Sequence, residues 1–270
     1  MPTVTIAGGE TIWYKKTGSG RPVIQIHGSA FGHRNFARMT PLMAAGFEVI
    51  DFDLPGYGES TGSLREAGMA GIAEIVFEFV TALGYDRVHL HGTSFGAMIG
   101  VHLAAAHPEI IDRIVFSCFL ARYDSAARMM RATWKRAARD SGMTAVTDLT
   151  SVAGFARGYY DRPEAQAQFD EMYMAFAATA PEAFIKGTES IEATDLSPLL
   201  PKITMPTLLL AGAEDNMTPF NPAPSGVGFS TIEKLLPDCE LHILADCGHY
   251  LVLEQPEEAT RLATEFLSRP

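Results

Sequence analysis

Cysteine is scarce in this sequence. Cys118, Cys239 and Cys247 are an odd number, widely spaced, and fit neither a disulfide framework nor a metal-ligand pattern. A reducing compartment is therefore expected, with the three thiols serving as small buried apolar side chains. Basic charge is also in short supply: 21 Lys and Arg against 32 Asp and Glu leave a net charge of −11. That balance favours solubility and excludes nucleic acid as an expected partner, since phosphates need a basic surface to displace their counterions. No run of roughly eighteen apolar residues occurs, and Met1 to Lys16 holds no basic stretch leading into an apolar one. Neither export nor a membrane is expected, and a cytoplasmic location follows. Internal repeats and low-complexity tracts are missing as well.

What is present is a chain of 270 residues, 47% apolar, long enough to bury a substantial core without staples. Short runs rich in β-branched residues recur at 4–6, 12–14, 23–26, 49–52, 88–90, 114–116, 207–210 and 241–244, each bounded by turn residues. The first two, around Gly8 and Gly9, read as an antiparallel hairpin, and the later ones as strands covered on both faces. Helical spacing over 36–45, 70–83, 95–106 and 256–267 alternates with them. The expected fold is therefore α/β, a mostly parallel eight-stranded sheet flanked by helices. From about 121 to 198 the alternation stops. That segment, rich in Ala, Met, Arg and aromatics, reads as a helical insertion, and Pro198, Pro201 and Pro206 mark the return to the sheet.

The strongest local signal is Gly92-Thr93-Ser94-Phe95-Gly96, which follows one apolar run and opens a helical one. A serine on so tight a strand-to-helix turn needs small neighbours, because side chains at Gly92 and Gly96 would collide with what packs beside it. A helix N-terminus there also aims free N–H groups at charge developing on a bound carbonyl. Other loops extend the pattern. His27-Gly28-Ser29-Ala30 follows the third strand, Asp53-Leu54-Pro55-Gly56-Tyr57-Gly58 the fourth, Gly212-Ala213-Glu214-Asp215 the penultimate and Asp246-Cys247-Gly248-His249 the last. With these motifs the chain resembles the α/β-hydrolase superfamily over nearly its whole length except the insertion. The resemblance implies an α/β-hydrolase core at 1–120 and 199–270, a helical cap at 121–198, and no cofactor or metal.

It also implies Ser94 as nucleophile, His249 as general base and Asp215 as the carboxylate behind the histidine, in the family's order. Asp124, beyond the sixth strand, is the rival acid. The N–H of Phe95 and, by resemblance, that of Ser29 are expected to form an oxyanion hole, with Ala30 as the alternative to Ser29.

Other groups have plainer readings. His89 and His91 alternate on a strand, but no third metal ligand stands at suitable spacing. Arg128, Arg131, Lys135 and Arg139 recur at helical spacing and read as a solvated helix face, with Trp134 on another face. The sharper alternative is that one arginine of the insertion, with Arg122 or Arg34, grips a substrate carboxylate. Phe31, Trp134, Met217 and Tyr250 are candidates for an apolar substrate pocket. The leading functional reading is hydrolysis of a small or medium carboxylic ester or lactone through an acyl-enzyme on Ser94. The alternatives are carbon–carbon hydrolysis of a ring-cleavage product, since Ser29, Gly32, Asn35 and Phe36 resemble that subfamily's loop, and a ligand receptor that keeps the triad with little turnover. A small molecule is the expected partner; the oligomeric state is not readable.

Overall fold

Apolar runs too short for helices become strands, because alternate side chains can be buried on two faces of a sheet. The computed structural model describes residues 2–270. Strands β1 (Thr3–Thr5), β2 (Thr11–Gly18), β3 (Arg21–Ile26), β4 (Phe47–Phe52), β5 (Val88–Thr93), β6 (Ile111–Ser117), β7 (Thr207–Gly212) and β8 (Cys239–Leu244) form one sheet ordered β1-β2-β4-β3-β5-β6-β7-β8. β2 is antiparallel to β1 and β4, and the remaining pairs are parallel. Each expected run lies in or overlaps a strand, and the expected hairpin joins β1 to β2.

Helices cover both faces. They are α1 (Thr40–Met43), α2 (Gly68–Ala82), α3 (Phe95–Ala106), α4 (Ser125–Ser141), α5 (Met143–Gly154), α6 (Ala165–Ala177), α7 (Pro181–Glu192), α8 (Phe229–Leu235), α9 (Leu251–Glu254) and α10 (Pro256–Leu267). Met69, Ile72 and Val76 of α2 and Met98 and Ile99 of α3 fill the core on one side of the sheet, with Ile232 of α8. Met43 of α1 and Leu262 and Phe266 of α10 fill the other. The helix expected over 36–45 is instead a 3₁₀ turn at Gly32–Phe36 followed by the single turn of α1. Pro41 is the reason. It has no N–H for a helix arriving from residue 36, yet fits the first turn of one that begins there.

Between β6 and β7 the chain forms α4 to α7, the helical insertion of the sequence reading. It leaves and returns at one root, where the Leu196 N–H donates to the Ala121 carbonyl at 2.8 Å and Arg122 pairs with Asp195 at 3.0 Å. Asp124 caps α4, its carboxylate accepting the Ala127 N–H at 2.8 Å.

A buried acid lies beneath the sheet's first crossover. Asp51 of β4, 6% exposed, has Thr40 as its hydrogen-bond partner, and the Thr40 hydroxyl oxygen, with one proton to give, lies 2.8 Å from the Gln25 amide oxygen as well as 3.0 Å from Asp51. A neutral Asp51 resolves the conflict by donating to Thr40, which donates onward to Gln25. Burial agrees, pushing the carboxyl up to about 7. A carboxyl whose folded pKa exceeds its unfolded value of about 3.9 stabilises the fold fully below that value, and the contribution is lost as pH rises through about 7. Asp51→Asn, whose amide makes the same donation, is therefore expected to raise Tm relative to wild type progressively between about pH 4 and pH 7, and by a constant amount above that. A Tm difference independent of pH would refute this account.

Candidate active site

Ser94 stands between β5 and α3 with φ 54° and ψ −115°, a left-handed conformation unusual for a residue with a side chain. The turn can be this sharp because a Cβ on Gly92 would press on the backbone of Gly96 and Ala97, and one on Gly96 would overlap the carbonyls of Ile26 and His27. The two glycines thus let β5, β3 and α3 meet. Phe95, the first residue of α3, has an N–H with no acceptor inside the helix.

The acid and the imidazole arrive from the ends of β7 and β8. His249 Nε2 lies 3.0 Å from Ser94 Oγ, and its Nδ1 lies 3.0 Å from Asp215 Oδ2. With Nδ1–H donated to the carboxylate, Nε2 carries the lone pair facing the serine, the tautomer that accepts a proton from Ser94. Asp215 is held by more than the histidine. Its Oδ1 accepts the N–H groups of Met217 at 2.9 Å and Thr218 at 2.8 Å, and its Oδ2 accepts the Thr218 hydroxyl at 2.6 Å. Burial would raise its pKa, but the charge and hydrogen bond of His249 and the Thr218 bonds overcome this and hold the carboxyl below the ordinary value. Thr218 carries no sequence signal of this role.

Asp124 is elsewhere. Besides capping α4 it accepts the Ala223 N–H at 2.7 Å, so both its oxygens are engaged away from His249. Among the described residues one group of three side chains could gather around a metal, Cys118, Asp215 and His249. Two of these are already bonded to each other. His89 and His91 are buried without polar partners, and burial lowers them to about 4 and about 3, so both are neutral core residues at physiological pH.

The loop after β3 is tied at three points. His27 Nε2 accepts the Leu54 N–H at 3.0 Å, Asn35 Oδ1 accepts the Gly28 N–H at 2.6 Å, and Thr179, between α6 and α7, donates its hydroxyl to the Ala30 carbonyl at 2.8 Å. Ser29 lines the cavity over Ser94.

That cavity encloses about 430 Å³ of empty space, the open mouth included. Phe31, Trp134, Met217 and Tyr250, the candidates named from the sequence, are among the residues that line it. Arg34 and Arg122 do not. Arg34 is exposed on the outer side of its 3₁₀ turn, whose inward positions are Asn35 and Phe36, and it borders a separate hollow with Gln168 and Met172. Arg122 spends its guanidinium on Asp195 and the Ser225 carbonyl at the insertion's root.

The cation in the cavity is Arg131, read from sequence as part of a solvated face. It is 4% exposed and donates to the Tyr123 hydroxyl at 2.9 Å. Its guanidinium lies 4.7 Å from the centre of the Trp134 ring and 5.4 Å from that of Tyr123. No acidic side chain among the described residues pairs with it. The missed signal was phase: Ala127, Arg131, Trp134 and Ala138 fall at three- and four-residue steps and form the buried face of α4, whereas Arg128 and Arg139 are exposed.

A family model described as alpha/beta hydrolase fold matches residues 21–256. The 2-hydroxy-6-oxononadienedioate/2-hydroxy-6-oxononatrienedioate hydrolase 1 of Dechloromonas aromatica is 27% identical over 275 residues, covering 94% of this chain and 90% of that protein. A hydrolase of the same name from Klebsiella pneumoniae is 28% identical over 280 residues, covering 97% and 93%. Among solved structures, the enol-lactonase from Burkholderia xenovorans LB400 superposes with a TM-score of 0.89 at 23% identity, covering 99% of this chain and all of that one, a likeness of fold.

Proposed function

The chain belongs to the alpha/beta hydrolase fold family and is a hydrolase, and from that premise we propose that it cleaves a carboxylic ester or lactone that also bears a carboxylate. Ser94 is the nucleophile in this reading, with His249 as general base and Asp215 as its carboxylate. Ser94 Oγ attacks the acyl carbon as His249 Nε2 takes its proton. Negative charge then gathers on the former carbonyl oxygen, where the N–H groups of Phe95 and Ser29 receive it. His249 returns the proton to the departing alkoxide or enolate oxygen, leaving an acyl-enzyme, and then activates a water that releases the acid. In a lactone both products of the first step stay joined, so the ring opens on the enzyme before water enters. The insertion, residues 121–198, acts as the cap that closes the pocket over these steps.

The observation that carries the substrate class is Arg131, a buried guanidinium in the cavity of Ser94 with no carboxylate among the described residues paired with it. An unpaired buried charge is costly, and its rings and the one Tyr123 hydroxyl compensate in part. Its free N–H groups suit a bidentate carboxylate. Trp134, Phe31 and Tyr250 would then hold the apolar body between that anchor and Ser94.

A second reading is carbon–carbon hydrolysis of a ring-cleavage product, favoured by the relatives named as oxononadienedioate hydrolases, whose named substrates are dicarboxylates. Arg131 would serve it equally. The test is a panel of neutral p-nitrophenyl esters, carboxylated esters and enol lactones, and vinylogous diketo acids, assayed with wild type and Arg131→Met. Arg131→Met is expected to raise KM for carboxylated substrates by about thirtyfold or more, the worth of a charged bidentate contact, and for neutral esters by less than about threefold. Equal effects on both classes would refute the carboxylate anchor. Turnover confined to diketo acids would select the second reading.

A further inference from the structure

The loop carrying His249 is fixed by bonds in which Ser94 and Asp215 take no part. The Gly248 N–H donates to both oxygens of the Glu254 carboxylate, at 3.0 and 3.1 Å, and the His249 N–H donates to the Gly154 carbonyl at 2.6 Å. One of the same Glu254 oxygens accepts the Ala156 N–H at 2.9 Å. Gly154 closes α5 and Ala156 precedes the 3₁₀ turn Arg157–Asp161, so both belong to the insertion. The approach is close enough that a Cβ on Gly248 would overlap the backbone of Gly154, Phe155 and Ala156. Glu254, at the end of α9, is 3% exposed, and its carboxylate faces backbone N–H groups from two separate parts of the chain.

We propose that Glu254 is the positioning residue of His249, its carboxylate tying the Gly248–His249 backbone to the Gly154–Ala156 backbone of the insertion, so that the aim of the imidazole at Ser94 depends on the insertion being docked. The proposal rests on the reading of His249 as general base. A carboxylate suits the place because it accepts from both N–H groups and brings no hydrogen of its own. Glutamine has the same shape but turns an NH₂ toward one of those donors. Displacing a catalytic group by about an ångström costs up to a hundredfold in rate, so a small drift of this loop is visible in kcat. The insertion has a further tie that bypasses His249: Glu214 accepts the Arg157 N–H at 2.9 Å. It provides the control.

Protonation of Glu254 would put a hydrogen where donors converge. Burial pushes the carboxyl up to about 7, opposed by the Ala156 and Gly248 N–H groups and the charge of Arg162 and reinforced by Asp215. The other titratable groups around it are the thiols of Cys118 and Cys247 and the phenols of Tyr159 and Tyr160, all raised and so neutral at physiological pH. Arg162 donates to the backbone carbonyls of Glu254 and Asp246. As pH falls, protonation of Glu254 then lowers the rate by about the tenfold set by a misplaced imidazole, in addition to the loss of the general base itself.

The experiment is hydrolysis of a neutral p-nitrophenyl ester from about pH 5 to about pH 9 by wild type, Glu254→Gln and Glu214→Gln, with thermal unfolding of each. The wild-type acid limb of log kcat is expected to steepen beyond a slope of one, to about one and a half, and that of Glu254→Gln to stay at about one, so that the gap between the two closes as pH falls. At the alkaline end Glu254→Gln is expected to lose about tenfold in kcat with KM within about twofold, while Glu214→Gln keeps the wild-type profile. Wild-type kcat and slope in folded Glu254→Gln would overturn the proposal. If that variant does not fold, the wild-type limb decides alone, and a slope of one overturns it. Absence of turnover in wild type removes the His249 reading and the proposal with it, whereas turnover unaffected by Glu254→Gln removes the proposal only.

Discussion

Ser94→Ala is expected to abolish covalent labelling by a fluorophosphonate, which should mark the wild type once, and to lower kcat for short p-nitrophenyl esters by about 10⁴-fold or more. The size follows from what is lost. In the proposed mechanism there is no acyl-enzyme without Oγ, and water must attack with only the Phe95 and Ser29 N–H groups and the binding of the substrate to help. In other hydrolases those residual terms alone keep about 10³- to 10⁴-fold over the uncatalysed rate, so a small remnant of activity is compatible with the mechanism. KM should change little, because Oγ contributes chemistry and not grip. The strained backbone at residue 94 sharpens the expectation: alanine tolerates φ 54° no better than serine, so the variant should match the wild type in stability and isolate the chemical loss. Labelling that persists in Ser94→Ala would remove the nucleophile assignment. A fast burst in wild type followed by negligible turnover would instead describe a ligand receptor that has kept the site.

Asp215→Asn should cost about as much, near 10⁴-fold in kcat, the loss seen when the carboxylate of such a triad elsewhere becomes an amide. The asparagine can offer its NH₂ to His249 Nδ1, which then accepts and leaves Nε2 protonated toward Ser94. That is the wrong tautomer for a base. The effect should ease as pH rises and a hydroxide-like attack takes over. Asp124→Asn is the paired test. The asparagine oxygen can still accept the Ala127 N–H, while its NH₂ meets the Ala223 N–H, so a loss of about 1 kcal/mol in stability is expected with kcat within about threefold. Inactivity of Asp124→Asn at wild-type stability would reverse the assignment of the acid.

Much of this site was legible because loops at strand ends carry their own chemistry. Gly92 and Gly96 are required by a backbone crossing that the residues on either side already imply, and the order of Ser94, Asp215 and His249 follows from strands that the β-branched runs mark out. Arg131 was misread for a physical reason. Four basic residues on one helix look like a solvated face; phase groups Arg131 with Ala127, Trp134 and Ala138, and the docking of that face decides that it meets the cavity. Arg34 and Arg122 erred the other way, since nearness in sequence to a motif loop says nothing about which side of a short turn a side chain leaves from. Thr218, Thr179 and Glu254 are invisible as a class. Thr179 and Glu254 bond to backbone atoms of segments far away in the chain and Thr218 to Asp215 within its own loop, and ordinary residue types give no sign of either.

The sequence by itself determined the strand count, the strand-to-helix turn at Ser94 and the chemistry available there, because local periodicity, glycine placement and residue type act over a few positions. Tertiary structure alone decided which arginine faces the cavity, how Asp215 is saturated with donors and how the insertion is tied to the loop of His249. The first and third depend on the docking of α4 to α7, and the second on the meeting of the loops after β7 and β8, all set by packing between segments far apart in the chain.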